Sequence, residues 1–330
     1  MARRKTTNSK RNGRTQPVRQ RPRLAHVTSP SNGNGAVETP AQEQQRLPVL
    51  KTYKIFINGQ FPRTESGRYY VAQSLSGELL GNICRSSRKD FRDAVVAARG
   101  AQSSWASKTA YNRGQILYRI AEMLEGRAAQ LRDELARHGG LAASAASVEV
   151  ARTIDRVLYY AGWCDKYQQV FSSVNPVATS HFNFSILEPT GVVSILAPQR
   201  SALLGLVSTI IPTIAGGNTC VALASTDNPL SAVTFAEVLE TSDLPAGVVN
   251  ILTGYRDELI EHFASHMDVN ASVYCGNDEK ELATVRTKAS LNVKRVVTYD
   301  REDWKSDEAQ GPYFILDAQE VKTTWHPVGI

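Results

Sequence analysis

The sequence predicts an α/β protein centred on a doubly wound parallel sheet. Three short runs rich in Val and Ile, 191–197, 218–224 and 248–252, alternate with two longer apolar segments, 201–216 and 229–242, which is the pattern of βαβ units. The runs are nearly continuous in hydrophobicity rather than alternating, as expected of strands covered by helices on both faces. Turn residues mark the boundaries: Gly216-Gly217-Asn218 is expected to end the first helix and Pro245-Ala246-Gly247 the second.

In chain order, residues 1–47 come first and are expected to lie outside any core. Residues 1–45 carry nine Lys or Arg against Glu38 and Glu43, so the net charge of +6 belongs to this tail and the rest is close to neutral. With few apolar residues and much Pro, Asn, Gln and Gly, the tail is expected to be disordered. Such an arm has the charge to hold nucleic acid or another polyanion. It has no Phe, Trp or Tyr for base stacking, and a solvated extension, with no nucleic-acid partner, is the expected state. No apolar segment of signal-peptide type follows the positive residues, and Pro and Gly disfavour a transit helix.

Four scattered cysteines (Cys84, Cys164, Cys220, Cys275) form no C-x-x-C pair. That suits a reducing cytoplasm and argues against a disulfide frame or a zinc site. The most apolar window, 202–215, is too short to span a bilayer and is interrupted by Ser208, Thr209, Pro212 and Thr213, so no membrane association is expected.

Residues 53–61 and 69–84 read as edge strands with turns at Asn58-Gly59 and Ser76-Gly77. Segment 88–105 places Phe91, Ala94, Val95, Ala98 and Trp105 on one helical face, and 111–138 does the same with Ile116, Leu117, Ile120, Leu124, Leu131 and Leu135. A third helix is expected over 147–170, with Tyr159, Tyr160 and Trp163 as core residues. Residues 181–189 read as a strand. Beyond 254 come a helix (256–265), a strand (271–275), a helix (278–290) and a strand (293–299). These complete five parallel strands in a Rossmann-like arrangement. From 300 to 312 the composition is charged and loop-like.

The stretch from 188 to 254 reads EPTGVVSILAP, AGGNTCV, DNPLSA and DLPAGVVNILTG. In order and spacing it resembles the cofactor-binding core of the aldehyde dehydrogenase superfamily. YYAGW-x-DK (159–166) and EVKTTW (320–325) resemble further landmarks of that family. The resemblance implies a cofactor-binding-type domain over 48–300, a linker over 301–312 in place of a catalytic domain, and a C-terminal oligomerisation strand over 313–330. It also implies that 181–189 belongs to a hairpin that pairs subunits. If a cofactor is bound, NAD or NADP is implied.

Position by position, the chemistry fails. A thiolate nucleophile, an oxyanion donor and a general base are needed, and the nucleophile's segment is missing; its loss alone costs on the order of a million-fold in a serine protease. Cys275, the last cysteine, has no histidine beside it in sequence and is expected to be an inert, half-buried thiol. The resemblance puts Arg200 where the family has its oxyanion Asn, and Tyr299 where it has its general base.

The cofactor motifs are degraded too. Leu223-Ala224-Ser225-Thr226 stands in place of the family's ribose-binding KPSE. One lost charged hydrogen bond weakens binding by about ten- to a hundred-fold. At the pyrophosphate turn Gly276 remains, but Asp278 and Glu279 add negative charge and the last glycine is Glu281. Ala197, Pro198, Ser225, Gly254 and Gly276 are left as remnants of the cofactor site, and no tight cofactor binding is expected. His262 and His266, one helical turn apart, have the spacing of metal ligands, but no third ligand is in view and exposed surface histidines are expected. No metal is expected.

The expected function is therefore a catalytically inactive scaffold or regulatory subunit of the cytoplasm. It would assemble with itself or with a full-length aldehyde dehydrogenase, because an unpaired terminal strand would be an aggregation hazard. Two alternatives stand beside it: an NAD(P)-dependent oxidoreductase whose site a partner completes, and a polyanion tether acting through the tail.

Overall fold

The computed structural model describes residues 49–300 and 303–329. The basic tail expected over 1–47, together with Arg301 and Glu302, lies outside the described residues. No described helix is long and apolar enough to cross a membrane.

The chain enters through β1 (Thr52–Tyr53), β2 (Tyr69–Gln73) and β3 (Leu79–Cys84), a small sheet in the order β1-β3-β2. The strand expected over 53–61 is mostly irregular. Only Thr52 and Tyr53 pair along β3, while Phe56 bridges Ile251 across the edge of the main sheet. Asn58 and Gly59 take left-handed backbone (φ 54 and 70), which closes the expected turn.

Five helices follow: α1 (Arg88–Ala106), α2 (Ala110–Gly126), α3 (Ala128–Arg137), α4 (Ala143–Trp163) and α5 (Tyr167–Phe171). Ser87 and Asp90 form a capping box at the start of α1, and Phe91, Ala94, Val95, Ala98 and Trp105 are buried as the periodicity predicts. The helix expected over 111–138 is two helices. Its apolar phase runs through, but the chain turns at Arg127 (φ −102, ψ 4). The helix expected over 147–170 starts earlier, at Ala143, and breaks after Trp163.

The next elements are β4 (Ser173–Asn175), β5 (His181–Pro189), β6 (Val192–Leu196), α6 (Leu204–Ala215), β7 (Thr219–Leu223), α7 (Leu230–Glu240) and β8 (Val249–Leu252). After them come α8 (Arg256–Ser265), β9 (Ala271–Cys275), α9 (Glu279–Ala289) and β10 (Arg295–Tyr299). The second helix of the central stretch ends at Glu240, not at the 245–247 turn, which instead leads into β8.

The main sheet is parallel in the order β10-β9-β6-β7-β8. β6 lies at its centre and the winding reverses between β6 and β9, a doubly wound Rossmann-like topology. Strands β6 to β9 and every residue of α6 are buried.

The segment after β10 is more ordered than its composition implies. It makes a 3-10 turn (Asp307–Ala309), a one-turn helix α10 (Tyr313–Leu316) and the strand β11 (Gln319–Pro327). Trp304 and Ala309 are buried. β11 pairs antiparallel with β5 over nine residues, in a sheet of order β11-β5-β4. β5 of the same chain satisfies one edge of the terminal strand, for which the resemblance implies pairing with another subunit.

Candidate functional site

In a doubly wound sheet a ligand is expected where the winding reverses, beyond the carboxyl ends of the strands. Here that point lies between the end of β6 (Ala197-Pro198-Gln199-Arg200) and the end of β9 (Gly276-Asn277-Asp278). A cleft of about 330 Å³ opens there. Pro198, Arg200, Arg256, Tyr274, Cys275, Gly276, Asp278, Glu281, Asp300 and Trp304 are among the residues that line it. That is near the lower limit for a small-molecule site.

Arg256, the first residue of α8, occupies the reversal point. Its guanidinium donates to the backbone carbonyl of Cys275 at the end of β9 (3.2 Å) and to that of Ala197 at the end of β6. It also pairs with the Glu281 carboxylate at 3.1 Å. Glu281 accepts a second hydrogen bond from the Tyr274 hydroxyl at 2.9 Å, and the guanidinium lies 5.6 Å from the centre of the Tyr274 ring. Burial, reinforced by the Glu281 carboxylate, pushes the Tyr274 phenol up to about 12. The resemblance implies a glycine at position 281, which could not supply the anion that holds Arg256 here.

Asp278 caps α9. Its carboxylate accepts from the backbone N–H of Lys280 (2.8 Å) and Glu281 (3.0 Å), and these two bonds hold its pKa below the usual carboxylate range. These are the N–H groups that a helix offers to a phosphate. A carboxylate of the chain itself already occupies them, with Glu279 next to it in the first turn. The residues present therefore do not fit a dinucleotide pyrophosphate.

Of the remnant positions, Pro198 and Gly276 line the cleft; Ser225 and Gly254 do not. Ser225 is buried, and its hydroxyl donates to the Gln199 carbonyl at 2.9 Å and accepts from the Asn228 N–H at 3.2 Å. The Gly254 carbonyl accepts from the Thr226 hydroxyl at 2.9 Å. Ala197 contributes its backbone carbonyl to Arg256, while its methyl group is in the core. These groups hold loops together rather than presenting themselves to a ligand.

Arg200 is exposed at the cleft rim. Tyr299 is turned away from the cleft. Its hydroxyl donates to the Asp317 carboxylate at 2.7 Å, and its ring packs on Phe314 (4.8 Å) and edge-on to Trp304 (6.1 Å). Burial and the neighbouring Asp317 raise its pKa far above the ordinary phenol value, so it has no role as a base at neutral pH. Cys275 was expected to be half-buried and is 1 % exposed, inside the main core. Cys275 is among the residues that line the cleft, with Glu281 and Asp300, but no described histidine lines it.

His262 and His266, expected to be exposed, are half-buried. The edge of His266 meets the Phe91 ring at 5.7 Å. Among the described residues no group of three or more His, Cys, Asp or Glu is placed to hold a metal ion.

The sequence reading missed Arg256, Arg156 and Asp317. Arg256 carries a weak signal: a cation one crossover away from the new Glu281. Arg156 and Asp317 carry none, because their partners lie 148 and 18 residues away.

Sheet order and the position of the reversal point define a Rossmann-like α/β domain. The aldehyde dehydrogenase family model matches residues 61–298, and the chain belongs to that family. Retinal dehydrogenase 2 of Mus musculus is 32% identical over 252 residues, 75% of this chain and 48% of that protein. Omega-crystallin of Enteroctopus dofleini is 29% identical over 254 residues, 76% of this chain and 51% of that protein. The NAD+ complex of an aldehyde dehydrogenase from Bacillus cereus superposes with a TM-score of 0.71 at 25% identity, over 75% of this chain and 50% of that one. The chain thus spans about half the length of the relatives it matches.

Proposed function

We propose that this chain is a catalytically silent aldehyde dehydrogenase-family protein, a scaffold or regulatory subunit that assembles with a second copy or with an active aldehyde dehydrogenase. The observation that carries this reading is the occupied reversal point. Arg256 joins the ends of β6 and β9, Glu281 holds it, and Asp278 takes the amides of α9. The positions that the family resemblance gives to the oxyanion donor and the base are an exposed arginine and a half-buried tyrosine that is bonded to Asp317. Assembly rests on the small sheet. β5 turns Phe182, Phe184 and Ile186 to one face, and Val174 of β4 lies beside Phe184. Phe182, Ile186 and Val174 are exposed there, an apolar surface that a monomer would not ordinarily leave open.

The test is calorimetry of the purified chain with NAD+ and NADP+, alongside expression with an active aldehyde dehydrogenase of the same organism. No heat at about 1 mM cofactor and co-elution with the active enzyme or with itself are expected. Micromolar cofactor affinity would remove the silent reading. A strictly monomeric chain that never co-elutes would remove the subunit reading.

A second reading is an oxidoreductase whose site a partner completes. It draws on the NAD+ complex of the Bacillus cereus relative and on Cys275 at the cleft wall, and it predicts the cofactor affinity that the first reading denies. A polyanion tether through residues 1–45 predicts salt-dependent binding that is lost when those residues are deleted.

A further inference from the structure

A second cavity, of about 590 Å³, lies between α1 and α8, away from the reversal point and built from different residues. From the geometry of this cleft we propose that it binds a small organic anion, a negatively charged group carried on an apolar or aromatic body. The proposal does not depend on whether the chain is catalytically silent.

The anionic half of the ligand is read from the rim. Arg88, Lys89 and Arg92 come from the first two turns of α1, and His262 and His266 face them from α8. Glu65 is the one carboxylate that lines the cavity. It is already engaged by Lys89 at 3.5 Å and by the Ser87 hydroxyl at 3.2 Å. Among the described residues Arg92 pairs only with its exposed neighbour Asp93, at 2.9 Å, and a pair of that kind contributes little. Arg88 has no ion pair or side-chain hydrogen bond among the described residues. The rim therefore keeps an excess of positive charge with planar guanidinium donors, which suit a carboxylate, phosphate or sulfonate. The amides at the start of α1 are not part of the site, because Ser87 Oγ accepts from Lys89 and Asp90.

The apolar half is read from the floor. Phe91, 1 % exposed and backed by the buried Phe263 at 4.1 Å, closes the floor, and the half-buried His266 ring, edge-on to Phe91 at 5.7 Å and 85°, is the more accessible aromatic surface. Met267, 70 % exposed, borders the opening, and an adaptable thioether suits contact with a flat ligand. A pocket of several hundred Å³ with an apolar floor and a few convergent polar groups is the usual form of a small-molecule site.

The histidines make binding pH-dependent. Burial holds both below the ordinary imidazole value. Arg88 and Lys288 add to this at His262, with Glu261 opposing; Lys294, Arg88 and Arg92 add to it at His266, with Asp268 opposing. Both are therefore neutral at pH 7. A bound anion offsets the surrounding cations and favours the imidazolium forms, so affinity rises as pH falls from neutral towards the depressed values.

The experiment titrates the full chain with benzenesulfonate, whose charge is fixed across this range, while calorimetry and the imidazole resonances are followed. Benzenesulfonate is expected to shift the His262 and His266 signals and raise their pKa. It should also bind about ten-fold more tightly at pH 6 than at pH 8. Arg88→Ala with Arg92→Ala, both at exposed positions, should weaken binding by about ten-fold or more, whereas Arg119→Ala should not change it. His262→Gln with His266→Gln should remove the pH dependence and keep binding at pH 8.

Any of three results overturns the proposal. The first is no shift at about 10 mM ligand. The second is equal affinity for benzyl alcohol or for inorganic phosphate, which would show that charge or the apolar floor plays no part. The third is an arginine double variant that binds as well as the parent.

Discussion

Arg156, on α4, is 2 % exposed. Its guanidinium donates to the Ala309 carbonyl (2.5 Å), the Trp304 carbonyl (3.0 Å) and the Ser208 hydroxyl (2.7 Å). Nearby, the Tyr160 hydroxyl donates to the Gly311 carbonyl at 3.3 Å. These bonds fasten the segment that follows β10 onto α4 and α6. Methionine at position 156 would leave two buried carbonyls without donors, so Arg156→Met should cost about 3 kcal/mol in urea unfolding. Glu149, two turns earlier on α4, gives a pH-dependent counterpart. It is 1 % exposed, lies 4.0 Å from Lys305, and accepts from the Leu204 N–H at 3.4 Å. Burial raises its pKa despite these partners. A carboxyl group whose folded pKa lies above its unfolded one favours the fold at low pH and loses that contribution as pH rises through the folded value. Glu149→Gln keeps an acceptor for Leu204 without the charge. It should match the parent in thermal melts near pH 4 and melt at a higher temperature at pH 7.

At the scale of elements, β11 and α9 show how one substitution or one deletion is absorbed locally. The nine-residue ladder between β11 and β5 satisfies one edge of the terminal strand within the chain, so the strand by itself is no argument for a partner. On β5, Asn183 and Leu187 face inward and are buried, while Phe182 and Ile186 alternate outward. Phe182→Asp with Ile186→Asp should turn an assembled chain into a monomer in sedimentation. Because both residues are exposed, the monomer's melting temperature should change little. An unchanged sedimentation coefficient for an assembled parent would place the interface elsewhere. In α9, the Asp278 cap explains why the helix forms with the family's glycine replaced. Ala or Gly at 278 would release two N–H groups, and Asp278→Ala should lower the melting temperature in a thermal melt.

For the whole molecule, the sheet order β10-β9-β6-β7-β8 and the clefts belong to one described body. Between β10 and β11 the chain is short: Trp304, Phe314 and Tyr299 fill the space behind the cleft with aromatic packing. Much of this architecture was legible in the sequence. The strands of the main sheet and the face of α1 both follow from patterns a few residues long. The helix breaks at Arg127 and after Trp163 were not, because the apolar phase continues across them and only packing against neighbouring helices decides where the chain turns. The half-burial of His262 and His266 was also hidden, since it depends on α1 coming to rest beside α8.

The sequence by itself determined the α/β class and the parallel core, because alternation and caps are local properties written in neighbouring residues. Only the tertiary structure decided that Arg256 and Glu281 fill the reversal point, that Arg156 fastens the segment after β10, and that β5 takes up β11. Each of these depends on groups far apart in the chain meeting within hydrogen-bond distance. Such meetings are set by how the finished layers pack, which no local pattern encodes.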